Sequence, residues 1–372
     1  MSDFVNLKMF DKGDYLYNIL IGERSNGKTF CVKERIIKEA LEKGAEAVFL
    51  RRYDSDVMGG LGQRYFEDLV YNDICGNLVE KYSKGKYDGI KYYRRAWYFT
   101  KWDDKKEVQI SAPTPFCYFL SLNTWERSKG NSFPKVNKIF FDEFISDKGY
   151  LQDEFYTAFL NTVSTVMRFK EGFKIYMAGN TISQYCPYFE EMGISRIGEM
   201  KKGDFDVIVG KSDECKIAIQ FTDSPPKKKN VNKYFAFANP KVDMITGENS
   251  AWAIGSHPHK PCDFEKEDIK FIFFIEFNRR LYQCEIVQVT DYDVFIFCHP
   301  KTTKLKLKNN NILFSPTAFI PDGRVFRNIF RCDLKVGKLI KRLIEQDKIF
   351  YSTNAVGENI ITYFAQCRKN AI

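Results

Sequence analysis

The first half of the chain alternates between short apolar runs and stretches in which apolar residues recur at helical spacing. Tyr15–Ile21 is an apolar and aromatic run, which predicts a β-strand. After Lys28 the apolar residues recur every three or four positions as far as Gly44, which predicts an amphipathic helix with a glycine at its carboxyl end. The pattern therefore predicts a strand, a loop and a helix in that order.

Later segments continue the alternation. Apolar runs at Val48–Tyr53, Val136–Glu143 and Phe173–Ala178 predict three further strands. Between the last two, apolar residues at helical spacing over Phe155–Met167 predict an amphipathic helix. Strands that alternate with helices are typical of an α/β domain, in which helices cover both faces of a central and mostly parallel sheet.

The last third of the chain has a different pattern. The consecutive runs Lys270–Phe277, Leu281–Val289 and Val294–Cys298 predict neighbouring strands of a second, smaller α/β domain. A length of 372 residues also favours two domains. The Pro-Pro and triple-lysine stretch at Ser224–Asn230 is typical of an exposed linker. The expected divisions are 1–200 for the first domain, 201–250 for the linker and 251–372 for the second domain.

The loop between the first strand and the first helix is a complete GxxxxGK[ST] phosphate-binding loop. In such a loop the lysine contacts the β- and γ-phosphates, and the final hydroxyl binds Mg²⁺. The helix that follows directs its amino terminus at the phosphates. We therefore expect ATP and Mg²⁺ as ligands, although a plain glycine turn between core elements is the alternative. The expected nucleotide-binding residues are Gly22, Arg24, Ser25, Asn26, Gly27, Lys28 and Thr29.

Two adjacent acids end the strand Val136–Glu143. A hydrophobic strand that delivers Asp and then Glu is typical of a Walker B element, in which Asp142 holds Mg²⁺ and Glu143 polarises the attacking water. Asn180 follows a further strand and is the candidate for sensing the γ-phosphate. An asparagine after a glycine is also a common turn residue, so the two interpretations of Asn180 stay open.

Arg168 follows the predicted helix Phe155–Met167. An arginine there can supply transition-state charge stabilisation to the γ-phosphate of a neighbouring subunit. It can equally be a cation that suits the negative end of a helix dipole. The residue chemistry alone does not separate these two roles.

Composition narrows the class of protein. The formal net charge is +9, and residues 251–372 hold 19 basic against 13 acidic side chains, an excess of six. A basic surface favours a polyanion such as nucleic acid, although a merely basic soluble protein has the same count.

No apolar stretch is long enough to span a bilayer, and Met1–Lys8 lacks a signal-peptide core. Ten cysteines without a CxxC and three scattered histidines predict free thiols in a reducing cytosol rather than a zinc site.

In combination, these segments resemble the DNA-packaging ATPases of small short-tailed phages. These encapsidation proteins drive unit-length genomes into a procapsid. The resemblance runs from about residue 15 to residue 190 and is weaker beyond. The segments that carry it are the phosphate-binding loop, Arg51-Arg52-Tyr53, Ser128–Pro134, Ile139–Ile145, Thr165–Arg168, Gly179-Asn180 and Pro187–Phe189.

The resemblance implies a P-loop ATPase of the class with an additional strand and a catalytic glutamate (ASCE). It further implies a homomeric ring, typically of five subunits, which docks on the portal of a procapsid in the host cytoplasm and pumps double-stranded DNA. It allows an RNA scaffold between motor and portal, and no membrane is involved. Arg168 aligns with the family's arginine finger, which acts on the neighbouring subunit. Lys129 matches a lysine that also serves the neighbouring site, and Arg24 matches an arginine within the loop.

In this family the second domain is RNase H-like. The same fold is a two-metal nuclease in the larger terminases and is usually vestigial in the small-phage branch. Here Glu276, Asp291 and Asp293 are the only acids near the predicted strand ends. Because a two-metal site needs several converging carboxylates, we expect no nuclease activity.

Two basic sets of the second domain are candidates for contact with DNA or the portal. The last three lysines of the first set alternate with leucines, which predicts one face of a strand, and the second set recurs at helical spacing. Either set can instead be an ordinary solvated face. The sets are Lys301, Lys304, Lys306 and Lys308, and Lys335, Lys338, Lys341 and Arg342.

Two other functions stay open as alternatives. One is a different P-loop motor such as a helicase. A helicase would normally show further nucleic-acid motifs after Asn180, and the sequence shows none. The other is an assembly protein that binds nucleotide without hydrolysing it. Glu143 argues against the second, because a switch without hydrolysis has no need of a glutamate that polarises water.

Overall fold

The computed structural model describes residues 5, 7–23, 26–58, 60–146, 149–168, 170–183, 186–210, 216–223, 257–307, 310–316 and 323–368. Within it the chain forms two compact units, each assembled from three stretches of sequence. The first unit consists of Met1–Ile145, Phe155–Ile182 and Ile194–Ala253. The second consists of Ser146–Glu154, Ser183–Gly193 and Ile254–Ile372.

The first unit is built on a ten-stranded sheet, which confirms the predicted α/β class. Its order is β3-β4-β6-β2-β7-β8-β1-β10-β9, with β5 paired to β4. The strands are β1 Tyr17–Gly22, β2 Glu46–Arg51, β3 Gly89–Tyr93, β4 Ala96–Asp103, β5 Val108–Ser111, β6 Cys117–Ser121, β7 Val136–Asp142, β8 Lys174–Asn180, β9 Phe205–Val209 and β10 Lys216–Phe221.

Helices cover this sheet and connect its strands. α1 is Lys28–Lys43, α2 is Leu61–Arg64, α3 is Leu78–Ser83 and α4 is Leu160–Met167. A π-helical turn at Glu154–Phe159 precedes α4, so the predicted helix over Phe155–Met167 begins in a different helical form. Short 3₁₀ turns lie at Phe10–Lys12, Asp54–Val57, Glu67–Leu69 and Leu122–Ser128.

The six central strands, from β6 to β10 in the sheet order, are all mutually parallel. Strands buried on both faces read as continuous apolar runs, which explains Ile19–Ile21 and Ile139–Phe141. β8 lies between β1 and β7, as expected for the class with an additional strand. Because parallel strands share their carboxyl edge, the residues after β1, β2, β7 and β8 meet at one edge of the sheet.

The predicted linker is wrong over its first part. β9 and β10 lie inside residues 201–250, and β10 pairs with β1 from Tyr17↔Ile217 to Ile21↔Phe221. The first unit therefore extends beyond residue 200. The Ser224–Asn230 stretch, on which the linker was predicted, lies outside the described residues.

The second unit is built on a six-stranded sheet of order β15-β14-β11-β12-β13-β16. β11 to β13 form an antiparallel meander, while β14 is parallel to β11 and β16 is parallel to β13. The strands are β11 Ile269–Phe277, β12 Arg280–Gln288, β13 Val294–Pro300, β14 Ile312–Phe314, β15 Val325–Phe326 and β16 Ile349–Tyr351. The helices are α5 Pro187–Glu191, α6 Lys335–Glu345 and α7 Asn354–Arg368.

This topology confirms the three predicted strands of the last third, and the RNase H-like assignment stays a prediction. It also separates the acids considered for a nuclease. Glu276 lies near the carboxyl end of β11, whereas Asp291 and Asp293 follow β12, which is antiparallel to β11. They therefore lie toward opposite ends of the β11–β12 hairpin. No cluster of three potential metal ligands occurs among the residues that the structure describes.

The two basic sets have different outcomes. Residues 301–307 form no strand, so the prediction of lysines on one strand face is wrong, and Lys308 lies outside the described residues. Alternation alone does not make a strand, because a strand also needs a hydrogen-bonded neighbour. The second set does lie on a helix, α6, with all four side chains exposed.

In the described part of the chain, no helix is both long and apolar enough to cross a bilayer.

Candidate active site

The phosphate-binding loop joins β1 to α1, as the sequence predicts. β1 ends at Gly22 and α1 begins at Lys28, with Gly27 as the residue before the helix in a left-handed conformation (φ 92°). A Cβ atom at Gly22 would lie 2.2 Å from Thr222 Oγ1, so a larger residue does not fit there. Arg24 and Ser25 lie outside the described residues.

Lys28 is the buried centre of the loop. Its ammonium donates to Gly22 O at 3.0 Å and Glu23 O at 2.6 Å, and to the side-chain oxygens of Asn26 at 3.1 Å and Asn180 at 3.3 Å. Burial lowers the pKa of Lys28 to about 8, against the opposing effect of Asp142. An anion placed beside a buried lysine stabilises its charged form, so the lowered pKa of Lys28 suits a phosphate-binding role.

Asn26 is held by Thr222, the residue after β10, a strand that the sequence did not predict. Its Nδ2 donates to Thr222 Oγ1, and Thr222 Oγ1 in turn donates to Ile21 O at 2.8 Å. Asn26 Oδ1 accepts from the backbone N of Lys28 at 3.4 Å. The residue that follows β10 therefore supports the loop.

Thr29 and Asp142 supply the oxygen ligands that Mg²⁺ prefers. Thr29 Oγ1 donates to Asp142 Oδ1 at 3.1 Å, which joins the first turn of α1 to the end of β7. Asp142 is buried, and burial raises its pKa while Arg51 opposes the rise. This hydroxyl–carboxylate pair beside Lys28 fits a magnesium ion that accompanies a triphosphate.

Glu143 follows β7 in a left-handed conformation (φ 54°), and its side chain is 58% exposed. Arg51 Nη2 donates to Glu143 Oε2 at 2.7 Å. The same guanidinium contacts Asp142 Oδ2 at 3.4 Å and Asp56 Oδ2 at 3.2 Å. Arg51 ends β2, which lies next to β7 in the sheet, so its side chain reaches both acids at the end of β7.

The sequence interpretation missed a second contact to Asp142. Tyr65, which follows α2, donates its hydroxyl to Asp142 Oδ2 at 3.2 Å, and its ring stacks on Phe49 at 3.9 Å between centroids. Burial raises the pKa of Tyr65, so the hydroxyl keeps the proton that it donates. Lys33 Nζ donates to Tyr65 O at 2.7 Å and pairs with Asp68 at 2.6 Å. Tyr65 and Thr29 therefore hold different oxygens of the Asp142 carboxylate.

One cavity of about 290 Å³ lies at this edge of the sheet, and neither Arg51 nor Tyr65 is among its lining residues. Its wall contains residues 26–29 of the loop, the two acids at the end of β7 and Asn180, and it extends past α1 to Asp68 and Asn72. The structure thus brings together Asn26, Gly27, Lys28, Thr29, Asp142, Glu143 and Asn180 of the predicted site.

Arg168 and Lys129 are not in this cavity. Arg168 is exposed and follows α4 in a left-handed conformation (φ 39°). The neighbouring Lys170 donates to Phe133 O and Val136 O, which places this turn at the starting edge of β7, opposite the phosphate-binding loop. Lys129 follows the 3₁₀ segment Leu122–Ser128, lies 3.6 Å from Glu126 Oε1 and packs over the Trp125 ring.

Comparison with known proteins agrees with the sequence resemblance. A family model for podovirus DNA encapsidation proteins (Gp16) matches residues 115–228. The DNA packaging protein of Bacillus phage B103 is 28% identical over 184 residues, which are 49% of this chain and 49% of that protein. The DNA packaging protein of Bacillus phage phi29 is 28% identical over 191 residues, which are 50% of this chain and 49% of that protein. The chain thus spans about half the length of the curated relatives that it matches.

Solved structures extend the likeness of fold to nearly the whole chain. The Phi-28 gp11 DNA packaging motor superposes with a TM-score of 0.61 at 18% identity, covering 99% of each chain. The bacteriophage phi-29 viral genome packaging motor assembly gives a TM-score of 0.55 at 18% identity, over 99% of this chain and 100% of that one. The predicted resemblance to phage DNA-packaging proteins is confirmed.

Proposed function

We propose that this chain is the ATP-hydrolysing subunit of a motor that drives double-stranded viral DNA into a procapsid. The observation that carries the proposal is the convergence of Thr29, Asp142 and Glu143 beside Lys28 at the carboxyl edge of a parallel sheet. The phosphate-binding loop, with Thr29 and Asp142 as ligands for one magnesium ion, is enough for nucleotide binding. The additional carboxylate of Glu143 supports hydrolysis.

Each residue has a role in this scheme. Lys28 and the loop backbone hold the β- and γ-phosphates, while Thr29 and Asp142 hold Mg²⁺. A magnesium ion held there would neutralise charge on the transferred phosphoryl group. Glu143, with its side chain 58% exposed, orients the attacking water and accepts its proton. Asn180 accepts from Lys28 at 3.3 Å, which supports a role in sensing the γ-phosphate.

The position of Arg168 supports a role in a neighbouring subunit. β8 begins at Lys174, near the turn that carries Arg168, and ends at Asn180, whose side chain contacts Lys28. Six residues of strand span roughly 20 Å, so Arg168 does not reach the phosphates of its own chain. An arginine finger at this position therefore requires a ring, in which Arg168 and Lys129 complete the next subunit's site.

The partners in this proposal follow from the resemblance. They are double-stranded DNA, the portal of the procapsid and further copies of this chain, five in the family's usual ring, with an RNA scaffold where one is used. The motor would form in the host cytoplasm and dock transiently on the procapsid. No nuclease step is required, because a unit-length genome is not cut.

The experiment measures ATP hydrolysis by the full chain with and without linear duplex DNA. We expect the duplex to stimulate turnover in the wild type, and Glu143→Gln to abolish turnover while nucleotide binding survives. Glu199→Gln, an exposed glutamate paired with Arg196, is the matched control and should behave as the wild type. Stimulation by single strands alone would favour a helicase, and full activity of Glu143→Gln would refute the assigned base.

A further inference from the structure

The first unit has a second polar cavity, of about 320 Å³, whose lining contains three arginines. Arg94 and Arg95 form the turn between β3 and β4, and Arg127 lies in the 3₁₀ segment after β6. Hydroxyl groups of Ser121 and Thr124 lie in the same wall. The lining itself contains no acidic residue. The carboxylate of Asp54 contacts two lining residues, since it accepts from Ser121 Oγ at 3.1 Å and pairs with Arg95. Three arginines against this one carboxylate leave a net positive charge, which suits an anion.

The backbone of the arginine turn is unusual for these residues. Tyr93 pairs with Ala96, so Arg94 and Arg95 are the two central residues of a tight hairpin. Both have positive φ, 47° and 64°. Such turns strongly favour Asn and Gly, because side chains with a Cβ are disfavoured in the left-handed region. Two arginines at these positions cost stability, and outliers of this kind are typical of functional sites.

The surroundings hold the turn in place. Phe119 N donates to Arg95 O at 2.7 Å, and the Arg95 guanidinium packs over the Phe119 ring at 5.0 Å. Arg95 Nη2 also pairs with Asp54 Oδ1 at 2.5 Å. Across the described residues, no carboxylate lies within ion-pair distance of Arg94 or Arg127, and both side chains are exposed. The charge of Arg94 therefore faces solvent, while Arg127, without forming an ion pair, is among the cations that lower the pKa of Asp54.

The cavity is too far from the phosphate-binding loop to serve the same nucleotide. It lies beside β6 and the start of β4, whereas the loop follows β1, and β2, β7 and β8 lie between them. Four strand spacings amount to roughly 19 Å. Both sites nevertheless lie on the carboxyl edge of the parallel strands, because β6 is parallel to β2 and the turn carrying Arg94 is next to Phe119 of β6.

We propose that Arg94, Arg95 and Arg127 bind the phosphodiester backbone of double-stranded DNA. The proposal rests on the function proposed above, and it places a DNA contact on the ATPase unit itself. A row of phosphates presents repeated single charges, which several fixed guanidiniums can contact at once. These contacts would be independent of base sequence, as a motor that moves along any sequence requires.

The test measures binding of the full chain to a labelled duplex across a series of salt concentrations, with a non-hydrolysable ATP analogue present. Arg94→Asn combined with Arg95→Gly removes two charges and creates the preferred turn sequence, so the variant is expected to fold at least as well. The slope of log K against log salt should become shallower by about 1.8 for this pair and about 0.9 for Arg127→Ala. Lys105→Ala with Lys106→Ala, at the opposite end of β4, is the matched control and should keep the wild-type slope.

Wild-type slopes in both arginine variants would overturn this inference alone. A wild type that does not bind duplex DNA would refute the proposed function as well, so the two failures are distinguishable. Loss of DNA-free ATP hydrolysis with an unchanged salt slope would also overturn the inference. It would assign the cavity to phosphates of a neighbouring active site.

Discussion

The hydroxyl of Tyr65 is predicted to set the magnesium requirement of the site. Tyr65 donates to Asp142 Oδ2 at 3.2 Å, while Thr29 donates to Asp142 Oδ1 at 3.1 Å. The carboxylate is thus held at both oxygens. In Tyr65→Phe the ring and its stacking on Phe49 remain, and only the hydroxyl is lost. Asp142 Oδ2 then keeps its 3.4 Å contact with Arg51, which draws the carboxylate away from the position in which it faces Thr29.

The size of the effect follows from that one hydrogen bond. A hydrogen bond to a charged group contributes about 1.5–3 kcal/mol, and 3.2 Å is long for an O–H···O contact, so the lower limit applies. About 1.4 kcal/mol corresponds to a factor of ten in affinity. We therefore expect the half-saturating Mg²⁺ concentration for ATP hydrolysis to rise about tenfold.

The assay is a magnesium titration of ATP hydrolysis, with nucleotide binding measured separately in the absence of magnesium. Magnesium-free binding should be unchanged, because Tyr65 does not contact the phosphate-binding loop. Tyr118→Phe is the matched control, since Tyr118 also donates to a carboxylate, Glu46 Oε2, at 3.2 Å. A titration curve for Tyr65→Phe that coincides with those of the wild type and the control would refute the reasoning.

Three further predictions follow from the same geometry. Because burial lowers the pKa of Lys28 to about 8, ATP affinity should fall about tenfold per pH unit above that pH; affinity that calorimetry finds unchanged from pH 8 to pH 10 would contradict this. Arg168→Ala and Lys28→Ala, each inactive alone, should recover part of the ATPase activity when mixed, and no recovery at any ratio would argue against action between subunits. Purified protein with Mn²⁺ should leave duplex DNA intact, and cleavage that Glu276→Ala stops would contradict the absence of a nuclease.

Much of the nucleotide site was accessible from the sequence because its chemistry is encoded in local spacing. The phosphate-binding loop requires glycines and a Lys-Thr pair within eight positions, and the Walker B acids are adjacent. Their joint position at one sheet edge follows from the parallel order of β1, β7 and β8. Asn180 is likewise found at the end of its predicted strand.

The supporting residues could not be found in the same way. Tyr65 and Asp142 are 77 positions apart, and their contact depends on how the segment after β2 packs against the sheet. Arg51 lies in one of the segments that carry the family resemblance, but its contacts with Asp142 and Glu143 depend on β2 lying next to β7. β9 and β10 were missed because glycine-punctuated sequence suggests a linker, whereas pairing with β1 stabilises them as strands. Long-range pairing of this kind leaves little local signal.

Translocation on duplex DNA tests the central claim most directly. The measurement is ATP-dependent displacement of a third strand bound to a linear duplex, with strand separation of the duplex monitored in parallel. The proposed motor should displace the third strand while the duplex stays paired, and Glu143→Gln should displace nothing. Separation of the duplex strands, or a third strand that stays bound while duplex DNA stimulates hydrolysis, would contradict the account.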